Sequence, residues 1–107
     1  LMPYVMAFNR SACTTEFAQI AAAMGVTGGD ENALADAAID AVQRLFKRIG
    51  IPATLQDIGL SGDDLGHVAS QSMLAARLVN NNPRLLDDAG MAQITQAAHA
   101  GHFNLQG

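Results

Sequence analysis

The chain has 107 residues, half of them hydrophobic and only five aromatic (four Phe, one Tyr, no Trp), which is enough for one domain with one modest core. Six Lys and Arg stand against ten Asp and Glu, a net charge of −4, so the concentrated cationic face that nucleic-acid binding needs is missing. One cysteine, Cys13, excludes an internal disulfide and suits a reducing, cytoplasmic setting. No apolar run reaches the length of a membrane span, and the first residues carry neither a charged n-region nor a cleavage site.

Residues 3 to 9 read as helical, with Pro3 tolerated in a first turn. Ser11 to Thr15 is a break, and Thr14 or Thr15 can cap a second helix. Phe17, Ile20, Ala21 and Met24 form its apolar stripe at i, i+3, i+4 and i+7, and Gly25 ends it. After the loop Thr27-Gly28-Gly29, Asp30 caps a third helix over residues 31 to 49. Leu34, Ala38, Val42, Leu45 and Ile49 form its inward stripe, widened by Ile39 and Phe46. Asp40 and Arg44 stand at i and i+4, an orientation that helps the helix. Arg44, Lys47 and Arg48 cluster at its C-terminus, where the helix dipole accounts for them. Gly50 and Pro52 then stop it.

A short helical turn over residues 53 to 58 would place Leu55 and Ile58 inward. Ser61-Gly62-Asp63-Asp64 has the form of a capping box with Asp in place of Glu or Gln. It opens a helix to about residue 79 with Leu65, Val68, Ala69, Met73 and Ala76 inward. Three asparagines and Pro83 end that helix, and Asp87 caps a last one through Met91, Ile94 and Ala98. No alternating strand pattern occurs, so the expected fold is an all-α array joined by short links.

The chemistry-bearing residues are few. His99 and His102 are three apart, a spacing two metal ligands could use, but no carboxylate or cysteine completes a set, and a solvated terminus is the preferred reading. His67 falls on a polar helix face. Cys13 has no neighbouring histidine to activate it. Asp63-Asp64 and Asp87-Asp88 lie in first turns, where capping and the dipole explain them. The five methionines read as packing residues, and Arg84 as the partner of a carbonyl or carboxylate within the fold.

Taken together, several landmarks resemble one family. Leu1-Met2-Pro3-Tyr4-Val5-Met6-Ala7-Phe8-Asn9-Arg10 reads as the middle of a helix. It resembles the segment of iron-containing (group III) alcohol dehydrogenases that directly follows their last metal-binding histidine. Gly50-Ile51-Pro52 with Leu55 and Ile58-Gly59, then Asn82-Pro83-Arg84 with Asp87, resemble later landmarks in the same order. The resemblance implies that the chain is the C-terminal helical domain of the dehydroquinate synthase-like, iron alcohol dehydrogenase fold. It also implies a missing N-terminal α/β part that binds NAD or NADP. In the family an Asp and three His hold a divalent iron, sometimes zinc, as a Lewis acid for hydride transfer. None of these four ligands maps onto the chain, and Tyr4 stands where many relatives carry a histidine that is not a ligand. No glycine-rich phosphate loop is present, because Gly28-Gly29 lacks the strand–turn–helix setting.

The expectation is therefore a fragment of a larger enzyme, with no metal or cofactor of its own and a tendency to self-associate. The resemblance also implies that Leu78, Val79 and Asn80 border the substrate pocket. The alternative for Leu78 and Val79 is core, with the asparagines serving only as a helix stop. A free-standing helical interaction module is the alternative for the whole chain. Glycerol dehydrogenases and dehydroquinate synthases share the fold but fit the Asn82-Pro83-Arg84 region less well.

Overall fold

The computed structural model describes residues 1 to 105, and its described residues form helices and turns with no strand. Six α-helices follow in order: α1 (Met2–Asn9), α2 (Thr14–Ala23), α3 (Glu31–Arg48), α4 (Leu65–Ser72), α5 (Ala76–Asn80) and α6 (Asp88–Ala100). Short 3-10 turns, Arg10–Ala12 and Gly62–Asp64, lead into α2 and α4. None of these helices is long and apolar enough to cross a membrane.

The α2–α3 hairpin is the main packing unit, and alanine makes it possible. Ala18, Ala21, Ala35 and Ala38 are buried along it, so the two backbones approach closely. Phe17, Ile39 and Val42 fill the space on either side. Gly25 adopts φ 87° just past α2, and Val26 N donates to Ala21 O while Gly25 N donates to Ala22 O. This is a Schellman ending, which only a residue free of Cβ strain closes easily. Gly50 ends α3 in the same way, with Ile51 N on Phe46 O and Gly50 N on Lys47 O. Asp30 caps α3 through Ala33 N at 2.8 Å, and the Asp40–Arg44 pair forms at 3.1 Å.

α1 and α6 complete the core. Tyr4, Met6, Ala7 and Phe8 meet Ile94, Ala97 and Ala98 there. The tail after α6 folds back, stacking Phe103 on Tyr4 with centroids 4.7 Å apart and burying Leu105. Asp87 caps α6 through Gly90 N at 2.8 Å. Gly90 is also where Phe8 crosses α6: a Cβ there would stand 2.9 Å from Phe8 Cζ and 3.1 Å from Cε1. The ring is buried and cannot withdraw, so Gly90→Ala should destabilise the fold by about 1–3 kcal/mol, despite the better helix propensity of alanine. A lower urea midpoint at unchanged m-value is the expected result. A midpoint equal to or above that of the parent chain would contradict this packing.

Several elements differ from the sequence expectation, each for a local reason. Neither Thr14 nor Thr15 caps α2; the N-cap is Cys13, without a side-chain bond. The chain enters α2 directly from the 3-10 turn, so Thr14 Oγ1 donates back to Arg10 O at 3.1 Å and Thr15 Oγ1 to Glu31 at 2.7 Å. Ile20 and Met24 are exposed, and Ala18 takes their place inside. Leu45 and Ile49 are exposed as well. The ten residues of α2 span about 15 Å and the eighteen of α3 about 27 Å, so the last turns of α3 overhang its partner.

The expected capping box at Ser61 is weaker than one nearby. Ser61 Oγ accepts from Asp63 N at 3.3 Å. The reciprocal pair stands at Thr54 and Asp57: Asp57 N donates to Thr54 Oγ1 and Thr54 N to Asp57 Oδ2, both at 3.1 Å. That box closes a single turn, with Leu55 packed on the core and Leu55 N donating to Ala98 O. Ile58 ends the turn 63% exposed instead of inward.

Candidate functional site

The segment Leu78, Val79 and Asn80 lies on α5, and its surroundings follow from a break in the helix before it. One helix to residue 79 was expected, but α4 stops at Ser72. Ser72 Oγ donates to Val68 O at 2.7 Å, a back-bond that bends helices. At Ala75 the backbone turns to φ −77°, ψ 67°, and Ala76 N donates to Leu74 O at 2.9 Å. This is an inverse γ-turn, and it sends α5 off in a new direction. Met73 is half-buried and Ala76 exposed, against the inward placement expected of both.

α5 consequently buries none of its residues. Leu78 is 68% exposed, Leu74 74% and Leu85 85%, while Val79 is half-buried. The reading of Leu78 as core of this chain does not hold.

Polar bonds tie down the far end of the segment. Asn82 Nδ2 donates to Asn9 Oδ1 at 2.7 Å and to Arg84 O at 2.6 Å, and Asn9 Nδ2 donates back to Asn82 Oδ1 at 2.9 Å. Arg84 Nη1 donates to Phe8 O at 2.8 Å, and its guanidinium sits 3.9 Å over the Phe8 ring. The carbonyl partner expected of Arg84 is thus one of the open carbonyls in the last turn of α1, where a cation is also favoured by the dipole. Sequence reading saw Asn82 as a helix stop and as part of the Asn82-Pro83-Arg84 landmark, without a partner at Asn9. Its partner lies 73 residues away, and no periodicity signals such a pair.

Two clefts open elsewhere. One of about 540 Å³ lies between α1 and α3, bordered by Arg10, Asp36, Asp40 and Phe103. Arg10 is already engaged there, paired with Asp36 and bonded to Asn32 O. The other, about 390 Å³, is bordered by Tyr4, Phe46 and Pro52. Neither is lined by Leu78, Val79 or Asn80.

The histidines have separate surroundings. His67 is exposed. His99 is not solvated as expected: it is half-buried, and Nε2 lies 3.0 Å from Leu60 O, so that nitrogen carries the proton and Nδ1 faces the Gln56 amide at 3.5 Å. His102 Nδ1 accepts from Asn104 N at 3.3 Å. Among the described residues, no three His, Cys, Asp or Glu side chains gather around a point that could hold a metal. Burial, and secondarily Glu16, pushes the Cys13 thiol above its ordinary pKa, which keeps it protonated and a poor nucleophile. Burial, then Asp57, does the same to Tyr4, whose hydroxyl donates to Ala53 O at 2.7 Å.

Sequence comparison gives this arrangement a context. Residues 1 to 99 match the family model described as Fe-containing alcohol dehydrogenase family, C-terminal. An NAD-dependent methanol dehydrogenase of Bacillus methanolicus is 35% identical over 91% of the chain and 26% of its own length. A 1,3-propanediol dehydrogenase of Klebsiella pneumoniae is 34% identical over 92% of the chain and 26% of its own length. An NADPH-dependent butanol dehydrogenase of Clostridium saccharobutylicum is 27% identical over 94% of the chain, again 26% of its own length. The chain thus spans about a quarter of the length of the curated relatives it matches. No solved structure matches it significantly. An all-helical chain with these landmarks in this order, matched by the family model from residue 1 to residue 99, belongs to the iron-containing alcohol dehydrogenase family and corresponds to that family's C-terminal region.

Proposed function

We propose that the chain is the helical C-terminal part of a cytoplasmic, metal-dependent, NAD(P)-linked alcohol dehydrogenase that interconverts an alcohol and an aldehyde or ketone. The family match over residues 1 to 99 carries this reading. Relatives named for methanol, butanol, 1,3-propanediol and long-chain alcohols support an alcohol as the substrate class, over a range of chain lengths. The described residues do not fit a metal centre, since His99 is committed to Leu60 O and no third ligand joins a pair. The metal and the nicotinamide therefore belong, in this proposal, to the nucleotide-binding and ligand-bearing remainder of the enzyme. Leu78, Val79 and Asn80 contribute one wall of the alcohol pocket, and the exposure of Leu78 and Asn80 in the chain alone is consistent with a surface that faces the rest of the active site.

The test is metal depletion of the enzyme that carries this chain. A chelator should abolish alcohol-dependent reduction of NAD or NADP, and ferrous iron or zinc should restore it. Activity that survives complete metal removal would contradict the proposal.

The same reading predicts the behaviour of residues 1 to 107 in isolation. Leu74, Leu78, Leu85 and Ile58 are left exposed, and apolar surface of this kind tends to find a partner. Light scattering over a concentration series should show self-association. A strictly monomeric chain that also fails to bind a hydrophobic dye would count against it. A free-standing interaction module would use the same exposed leucines, but it gains nothing from the family match.

A further inference from the structure

Apolar packing holds the candidate pocket wall only lightly, since Val79 is half-buried and Leu78 and Asn80 are exposed. α5 buries none of its residues, and the γ-turn at Ala75 disconnects it from α4. What reaches across from the wall to the core is polar: the Asn82 side chain, four residues beyond Leu78, bonded to Asn9 at the end of α1. Asn9 is buried, and its bonds with Asn82 run in both directions.

The pair has a unique orientation. Asn82 Nδ2 serves two acceptors, Asn9 Oδ1 and Arg84 O. Flipping the Asn82 amide would aim its oxygen at both and its nitrogen at the Asn9 nitrogen, so every bond of the pair would fail together. An amide bonded to two acceptors and one donor is narrowly restricted in orientation and distance, which is what a gauge between two elements requires.

We propose that Asn9 and Asn82 are positioning residues for substrate choice: their reciprocal amide bonds set how far Leu78, Val79 and Asn80 stand from α1, and so set the depth of the alcohol pocket. The inference rests on reading those three residues as a pocket wall. Neither asparagine need touch the substrate. Each acts by holding a segment that has no other deep anchor of its own. Arg84 secures the next stretch of chain onto Phe8, which leaves α5 as the part whose position depends most on the amide pair.

The experiment compares Asn9→Ala, Asn82→Ala and the double variant in the full-length enzyme. Asn9→Ser, which breaks the reciprocal amide pair without burying a charge, serves if the truncations fold poorly. Amide hydrogen exchange at residues 78 to 82 should quicken by about five- to thirtyfold in each single variant, with α3 unchanged. The double variant should be no worse than either single one, because the two residues share one interaction. Ratios of kcat/KM between long and short alcohols should shift by about tenfold while the nicotinamide KM stays put. An active enzyme whose variants keep parental exchange and parental alcohol ratios would overturn this inference alone. Faster exchange with unchanged alcohol ratios would show a structural clamp without a role in specificity, and would also overturn it. An enzyme inactive before any substitution would overturn the proposed function, and this inference with it.

Discussion

Phe8→Ala should bring the chain close to global unfolding. Phe8 is 1% exposed and is the one large side chain in the described structure that is fully buried. Its ring lies under the Arg84 guanidinium and against the backbone of Gly90, so it joins α1, α6 and the Asn82-Pro83-Arg84 stretch at one point. Removing it opens a cavity bordered by a glycine that has no side chain to relax inward, and it strips the cation of its aromatic face. The expected loss is about 3–5 kcal/mol, a large part of the 5–15 kcal/mol typical of a whole domain. Urea denaturation followed by circular dichroism is the measurement. A loss under about 1 kcal/mol would show that the site collapses freely and that Phe8 does not organise the core.

Leu78→Ala should behave in the opposite way, with little effect on stability and a clear effect on specificity. Leu78 is 68% exposed, so truncation removes few contacts within the chain. In the full-length enzyme, a leucine on the pocket wall would act through its size. Discrimination between alcohols differing in length should then shift by about 1–3 kcal/mol in favour of the longer ones. The nicotinamide KM should change little, because the side chain belongs to the alcohol side of the cleft in this reading. Steady-state kinetics on a series of primary alcohols and diols gives the ratios directly. Unchanged ratios with a lower melting temperature would mean that Leu78 is covered by a neighbouring part of the enzyme as plain packing.

The helices themselves were legible in the sequence because their ends carry chemistry. Asp30 and Asp87 accept from backbone N–H groups as capping predicts, and Gly25 and Gly50 take the left-handed turns that close α2 and α3. Helix faces were less legible. Periodicity assigns an apolar stripe but not how far the opposite helix extends, so Leu45 and Ile49 were placed inside although α2 is too short to cover them. The break at Ala75 was invisible for a different reason. No glycine or proline marks it, and residues 72 to 76 all tolerate a helix. The turn emerges from hydrogen bonds that Ser72 and Ala76 make instead. Pairs distant in sequence, Asn9 with Asn82 and Tyr4 with Phe103, leave no trace in a single chain. The candidate pocket wall was legible only through its resemblance to the family, since Leu78, Val79 and Asn80 carry no reactive group.

The most direct test of this account asks where the chemistry resides. Purified residues 1 to 107 and the full-length enzyme would be incubated with ferrous iron or zinc, desalted, and assayed side by side for alcohol-dependent reduction of NAD and NADP. The account predicts turnover by the full-length enzyme and none by the isolated chain, whose histidines are separately engaged or exposed. Turnover by the isolated chain would contradict it, because the account assigns the metal and the nicotinamide to the rest of the enzyme, and no three His, Cys, Asp or Glu side chains among the described residues gather around a point that could hold a metal.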